Sequence, residues 1–248
     1  MNVHQLKHQY AVRNAQTIAA RLKRLFSPPA PLIHNPSEPR FPLGNHNLYL
    51  GGAGRQVHGY INLDIVAMPG VDVAADAHSL PFQDGQFQSI ECDAVLEHVH
   101  NPQKVMVELE RVLAPGGYLH IVAPFCHPFH EYPNDYRRFT LDGIKALSLN
   151  LEVVAEGWRT GPTATLLVFI LEYAKIWTEN RHLRAVIHGL LGWMLSPLRY
   201  LDLLLFRSSR VAVLGNHFYI WLRKPTQLSY NAPANDQAAQ AVPTRGCA

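Results

Sequence analysis

Cysteine is scarce in this chain, and no apolar run is unbroken for long. Among 248 residues there are three cysteines, Cys92, Cys126 and Cys247, an odd set in a sequence that shows no signal peptide. No disulfide framework is expected, and a reduced, cytosolic setting is. The two most apolar stretches, Thr163 to Trp177 and Leu183 to Phe206, are interrupted by Glu172 and Lys175 and by His188, Pro197, Arg199 and Asp202. A membrane-spanning helix needs about 20 consecutive apolar residues, so none is expected. A third glycine is also missing. Reading from Gly52, the G-x-G-x-x-G pattern gives Gly54 and then Val57, which argues against a dinucleotide fingerprint. Cys126, His127 and His130 lack a second pair of ligands, and adjacent Cys and His are awkward around a tetrahedral ion, so no metal is expected.

What is present is a strand, a glycine turn and a second strand ending in an acid, NLYLGGAGRQVHGYINLD over Asn47 to Asp64. Gly51, Gly52 and Gly54 leave strand-end amides free, with no Cβ to block a ligand lying on the backbone. Asp64 at the next strand tip suits the hydroxyls of a ribose. The segment between the strands is too short to hold a full helix. Further strands are predicted at Val71 to Ala77, Phe87 to Asp93, Tyr118 to Ala123, Leu151 to Ala155 and His217 to Leu222. A helix is predicted after Asn101, with Pro102 at its first position and Val105, Leu109, Val112 and Leu113 on one face, and another from Thr140 to Leu147. Strands alternating with helices or short connections imply an α/β fold with a covered parallel sheet.

Together LYLGGAG, INLDI, ADAHSLPF, AVLEHV and ERVLAPGGYLHIVAPF, spread over Leu48 to Thr140, resemble the successive motifs of class I S-adenosylmethionine-dependent methyltransferases. The likeness is to the type 11 group, which includes ubiquinone and menaquinone biosynthesis enzymes. It implies a Rossmann-like, seven-stranded, mostly parallel sheet with helices on both faces, its last strand antiparallel beside the fifth. It also implies S-adenosylmethionine as cofactor. Gly51, Gly52 and Gly54 would face the amino-acid part of that cofactor, Asp64 the ribose, and Asp76 and Ala77 the adenine edge. Leu96, Glu97 and His98 would stand at the methionine end. Two departures are visible: the first helix is truncated, and Gln88 stands where the group often has an acid.

An acceptor site is expected in the loop PFCHPFHEYPNDYRRFT, which leaves the fifth strand at its C-terminal end, where ligands sit in open α/β sheets. His98, His127 and His130 are the candidate proton acceptors, since imidazole titrates near neutral pH. Asp135, Tyr136, Arg137 and Arg138 are the candidate acceptor-binding residues, with one arginine expected to pair with Asp135 or Glu131. The implied reaction is an in-line displacement in which positioning and exclusion of water do most of the work. The competing expectation is a catalytically silent binding or scaffold protein of the same fold.

Residues 1–27 carry Lys7, Arg13, Arg21, Lys23 and Arg24 with no acid, on a segment of helical apolar spacing. Residues 183–224 carry Arg184, Arg199, Arg207, Arg210, Arg223 and Lys224 against Asp202 alone, so with a total of +3 the body between is acidic. That acidic body, and the absence of an N-P-P-Y-like motif, argue against nucleic acid as partner. The domains expected are a basic amphipathic helix at 1–27, a Pro-rich linker at 28–46, the catalytic domain at 47–224 with an apolar helical cap at 160–210, and a disordered tail at 225–248. The cap either packs on its own domain or a second subunit, or rests on anionic lipid and reaches a lipid-linked acceptor. Small-molecule and saccharide acceptors are equally open, and so is the oligomeric state.

Overall fold

The structure, a computed structural model, describes residues 27–148 and 150–226. The expected N-terminal helix and the tail lie outside the described residues, save for a residue or two at their inner ends. Seven strands form one sheet: β1 (Asn47–Leu50), β2 (Ile61–Asp64), β3 (Val73–Ala74), β4 (Phe87–Asp93), β5 (Leu113–Pro124), β6 (Glu152–Thr160) and β7 (His217–Arg223). Their order is β3-β2-β1-β4-β5-β7-β6, and β7 runs antiparallel to both neighbours.

Alternation along the strands sends Leu48, Leu50, Leu63, Phe87, Ile90, Cys92, Leu119, Ile121, Phe218 and Ile220 to one face. Helix α1 (Pro102–Val112) covers that face with Val105, Met106, Leu109 and Val112, and helix α2 (Leu141–Leu147) adds Ile144. Each large apolar side chain sealed there contributes about 1.5–3 kcal/mol. Side chains set both helix starts. Asn101 accepts from the Lys104 amide at 3.0 Å ahead of Pro102, and Thr140 accepts from the Gly143 amide at 3.0 Å.

The opposite face is polar and aromatic, and residues of the 28–46 segment lie against it. Phe41 stacks on Tyr118 with ring centres 4.7 Å apart and sits 4.9 Å from Trp221. Glu38 pairs with Arg159 at 2.9 Å and with His120 Nε2 at 3.0 Å, while His120 Nδ1 lies 2.5 Å from Glu91. The segment expected to act as a linker is therefore a docked cover over part of the sheet.

Several boundaries differ from the sequence expectation. β3 is shortened to two residues, although Asp72 and Ala75 still bond to β2 carbonyls. β5 begins at Leu113, which pairs with Phe87 before a register shift at the Pro-Gly-Gly stretch. β6 continues to Thr160 through Gly157, whose missing Cβ leaves room for the Tyr219 hydroxyl.

Between β6 and β7 the cap forms α3 (Pro162–Ile176), α4 (Arg181–Leu195), a 3-10 turn at Ser196–Leu201 and the short α5 (Asp202–Leu205). Asp202 is fully buried and accepts from the Thr163 and Ala164 amides at 2.8 and 2.9 Å. The acid that breaks the apolar run thus caps α3, where its charge meets the positive end of the helix. Among the described residues no helix is long and apolar enough to cross a membrane.

Candidate active site

The C-terminal ends of β1, β2 and β4 open onto a cleft of about 480 Å³, within the roughly 300–1,000 Å³ typical of cofactor sites. Ten residues join β1 to β2 without a helix, and the chain reverses instead through left-handed backbone at Gly51, Ala53 and Gly54. Asn62 replaces the helix as the brace. Its side chain accepts from the Val57 amide at 2.8 Å and donates to the Val57 and Tyr60 carbonyls and to Asp72.

Asp64 ties the same loop to the strand tip. Its carboxylate accepts from the Ala53 amide at 2.9 Å and the Val66 amide at 3.3 Å. A carboxylate has about four acceptor positions, so these amides leave capacity for a ligand. Burial pushes its pKa up, and the amides of Ala53, Val66 and Ile65 offset part of that. At the next tip, Asp76 holds its own loop by accepting from the His78 amide at 2.9 Å, with His78 Nδ1 at 2.6 Å. Burial acts to raise the Asp76 pKa, but these contacts outweigh it and the net shift is downward.

Gly51, Gly52, Asp64, Asp76, Ala77, His98, His130 and Tyr136 line the cleft. The other sequence candidates do not. Gly54 turns toward Gly70, packed so closely that a Cβ on Gly70 would strike the Gly54 carbonyl at 2.3 Å. Leu96, in a 3-10 turn (Leu96–His98) after β4, points into the core and is fully buried. Glu97 is also fully buried, beside the cleft rather than in its wall. His127 faces away, its Nδ1 2.9 Å from Asn216 Oδ1, and burial lowers its pKa.

Asp135 and Arg138 spend their bonds on the loop itself. Arg138 reaches both oxygens of Asp135 and the carbonyls of His127 and Pro128. Burial alone would raise the Asp135 pKa, but Arg138 and the His130 amide outweigh it and hold it down at about 2. Arg137 donates to the His100 carbonyl at 3.0 Å. This internal bracing is what carries His130 and Tyr136 to the cleft. Tyr49, Asp93, Val99, His100, Tyr132 and Asn134 also line it and were missed by sequence reasoning. For Tyr49 and Asp93 a signal existed: alternate residues of β1 and β4 must face away from the core.

At one end of the cleft three groups converge. Glu97 has no hydrogen-bond partner for either carboxylate oxygen among the described residues, and burial pushes its pKa up to about 8. His98 Nε2 and His130 Nε2 lie 3.7 and 3.9 Å from Glu97 Oε1. Burial also lowers the pKa of His98.

Residues 59–121 match the family model described as a methyltransferase domain. The matched segment runs from the connection after β1 into β5, and it carries the same likeness to the class I, type 11 methyltransferases as the sequence motifs do. Similar curated proteins include demethylmenaquinone methyltransferases from Renibacterium salmoninarum and Paenarthrobacter aurescens. The first is 29% identical over 50% of this chain and 49% of its own length, the second 30% over 46% and 42%. The chain thus spans about half the length of these relatives. Among solved structures, the [4+2]-cyclase SpnF shares the fold, with a TM-score of 0.50 at 16% identity over 91% of this chain and 93% of its own. The cofactor of the methyltransferase group is S-adenosylmethionine. The donor set here fits its adenosyl part, with a strand-tip acid holding spare acceptor positions, a glycine turn at its side and a second acid at the adjoining tip.

Proposed function

We propose that this chain transfers the methyl group of S-adenosylmethionine to a small, amphipathic acceptor. The observation that best supports this reading is Asp64, buried at the tip of β2, bonded to the glycine turn and still open to the cleft. In this reading Asp64 takes the ribose hydroxyls, Asp76 the adenine edge, and Gly51 and Gly52 the amino-acid part. The bound cofactor supplies an activated methyl on a sulfonium with a good leaving group. The protein supplies alignment and a dry cleft. His98 and His130 stand at the end where the acceptor arrives, so their Nε2 lone pairs are what an acceptor hydroxyl meets. His127, held by Asn216, takes no part. The test is methyl release from labelled S-adenosylmethionine in the presence of cell extract. Wild type is expected to label a product and Asp64→Ala to lose at least about ten-fold, the weight of one charge-assisted hydrogen bond. Equal labelling by both would contradict the assignment.

The cap favours a lipid-linked acceptor met at a membrane surface. Ile176, Trp177 and Leu190 are 74%, 76% and 70% exposed, and Tyr173 and Met194 are exposed with them. Arg181, Arg184, Arg199, Arg207 and Arg210 lie on the same cap, a combination that suits anionic lipid. The relatives named as demethylmenaquinone methyltransferases bear the name of an isoprenoid quinone as substrate. Flotation with anionic vesicles is expected to carry the protein at low salt and release it at high salt. Flotation indifferent to lipid charge would remove this part of the reading.

A further inference from the structure

Three side chains that can ligate a metal ion meet at the acceptor end of the cleft. Glu97 is 0% exposed and neither of its oxygens has a hydrogen-bond partner among the described residues. The two imidazoles beside it have their ring orientation fixed from behind. His98 Nδ1 sits 2.5 Å from the Asn134 carbonyl, and His130 Nδ1 sits 3.2 Å from the Pro128 carbonyl. A carbonyl only accepts, so the His98 Nδ1 donates to it, and in the neutral ring its Nε2 presents a lone pair; the His130 ring is turned the same way, with its Nε2 toward Glu97. The same Nδ1 of His130 also lies 3.5 Å from Asp135 and from Arg138. Both Nε2 atoms face Glu97, and the three donor atoms lie within 4.8 Å of one another.

At 3.7 and 3.9 Å neither imidazole is within hydrogen-bond reach of Glu97, so the buried carboxyl is left with a polar demand that nothing in the described residues meets. One cation would satisfy all three groups at once. From this arrangement we infer that Glu97, His98 and His130 bind a divalent transition-metal ion of the zinc, cobalt or manganese kind. Two imidazole nitrogens and one carboxylate oxygen suit such ions and exclude a preference for calcium or magnesium. Metal-ligand bonds of about 2.0–2.2 Å place donors about 3.3 Å apart in a tetrahedral site, so the two imidazoles need to close on Glu97 by about half an ångström and on each other by about 1.5 Å at most. The carbonyls behind each ring are the second-shell contacts that metal-ligating histidines make.

Glu97 closes the site on the core side, while His98 and His130 line the cleft, so the vacant coordination position faces the space where the acceptor binds. The ligand it would take there is an oxygen donor, a hydroxyl or enolate of the acceptor. With the ion held, both imidazole lone pairs are committed to it, so the acceptor hydroxyl would meet the ion in place of the free histidines of the proposed function. This departs from the expectation of no metal drawn from Cys126, His127 and His130, of which only His130 belongs to the cluster. Cation binding stands apart from methyl transfer; its contact with the acceptor rests on the proposed function.

The full chain, stripped with chelator, is titrated with zinc and with cobalt by calorimetry, and the cobalt complex is followed by visible absorbance. The expectation is one ion per chain with a tetrahedral cobalt spectrum. Glu97→Gln and His130→Ala are expected to weaken binding by about 100-fold or more, while His127→Ala, outside the cluster, leaves it intact. Circular dichroism shows that each variant is folded, and His130, on a surface loop, serves if Glu97→Gln does not fold. No saturable binding, or binding that survives loss of His130, overturns the inference. Titration of S-adenosylhomocysteine into the same samples separates the two proposals. Failure of the nucleoside to bind with the metal bound would count against the methyl-transfer reading alone.

Discussion

Replacing Asn62 by alanine should loosen the helix-free crossover that shapes the cofactor end of the cleft. The change deletes the bond from the Val57 amide at 2.8 Å and those to Val57, Tyr60 and Asp72 at 3.2, 3.0 and 3.0 Å. At about 1 kcal/mol net for each bond, reduced because water reaches part of this loop, the expected loss is about 2–3 kcal/mol. For a domain of this size that corresponds to a fall in Tm of about 5–10 °C. Urea unfolding monitored by fluorescence gives the free energy, and calorimetry with S-adenosylhomocysteine gives the effect on the site. Affinity should fall as well, since Gly51, Gly52 and Ala53 lie in the freed loop. Asn62→Asp keeps the acceptor but loses the donors and sets a second carboxylate against Asp72, so it should cost no less than alanine. A loss below about 0.5 kcal/mol for either variant would refute the claim that this amide stands in for a helix.

Two other changes probe the frame of the site. Gly51→Ala places a Cβ 2.3 Å from Val95 Cγ2 at a φ of +75°, so it should destabilise the domain by about 2 kcal/mol or more in urea. Adding Val95→Ala should recover the steric part and leave the backbone strain. His120 reports on the docked segment. Burial works to lower its pKa, but the contacts with Glu38 and Glu91 outweigh it and the net shift is upward from 6.5. Its stabilising contribution is therefore complete below the unfolded value and is lost as pH rises through the higher folded value. Between pH 5.5 and 8.5 the urea midpoint of wild type should fall more than that of His120→Gln; equal falls would sink this reading.

Elements governed by neighbours in sequence were legible, and features governed by distant partners were not. β4 and the start of α1 follow directly from alternation and from Asn101 with Pro102, and the Thr140 cap is equally local. The seven-stranded sheet followed from the order of motifs. No local pattern reveals that Asn62 braces the preceding loop, that Glu38 reaches His120 across the sheet, or that Asp202 caps a helix forty residues earlier. The site divides in the same way. Gly51, Gly52, Asp64 and Asp76 face the cleft because strand tips and turns dictate it. Arg138, His127 and Leu96 looked equally available in sequence, but Asp135, Asn216 and the core claim them.

The most direct measurement is titration of the wild-type chain with S-adenosylmethionine and S-adenosylhomocysteine by calorimetry, repeated with Asp64→Asn. Saturable one-to-one binding of both nucleosides, weakened by about 10- to 100-fold when the strand-tip acid loses its charge, is the result predicted. Absence of binding to a folded wild-type protein, or affinity indifferent to Asp64, would contradict it.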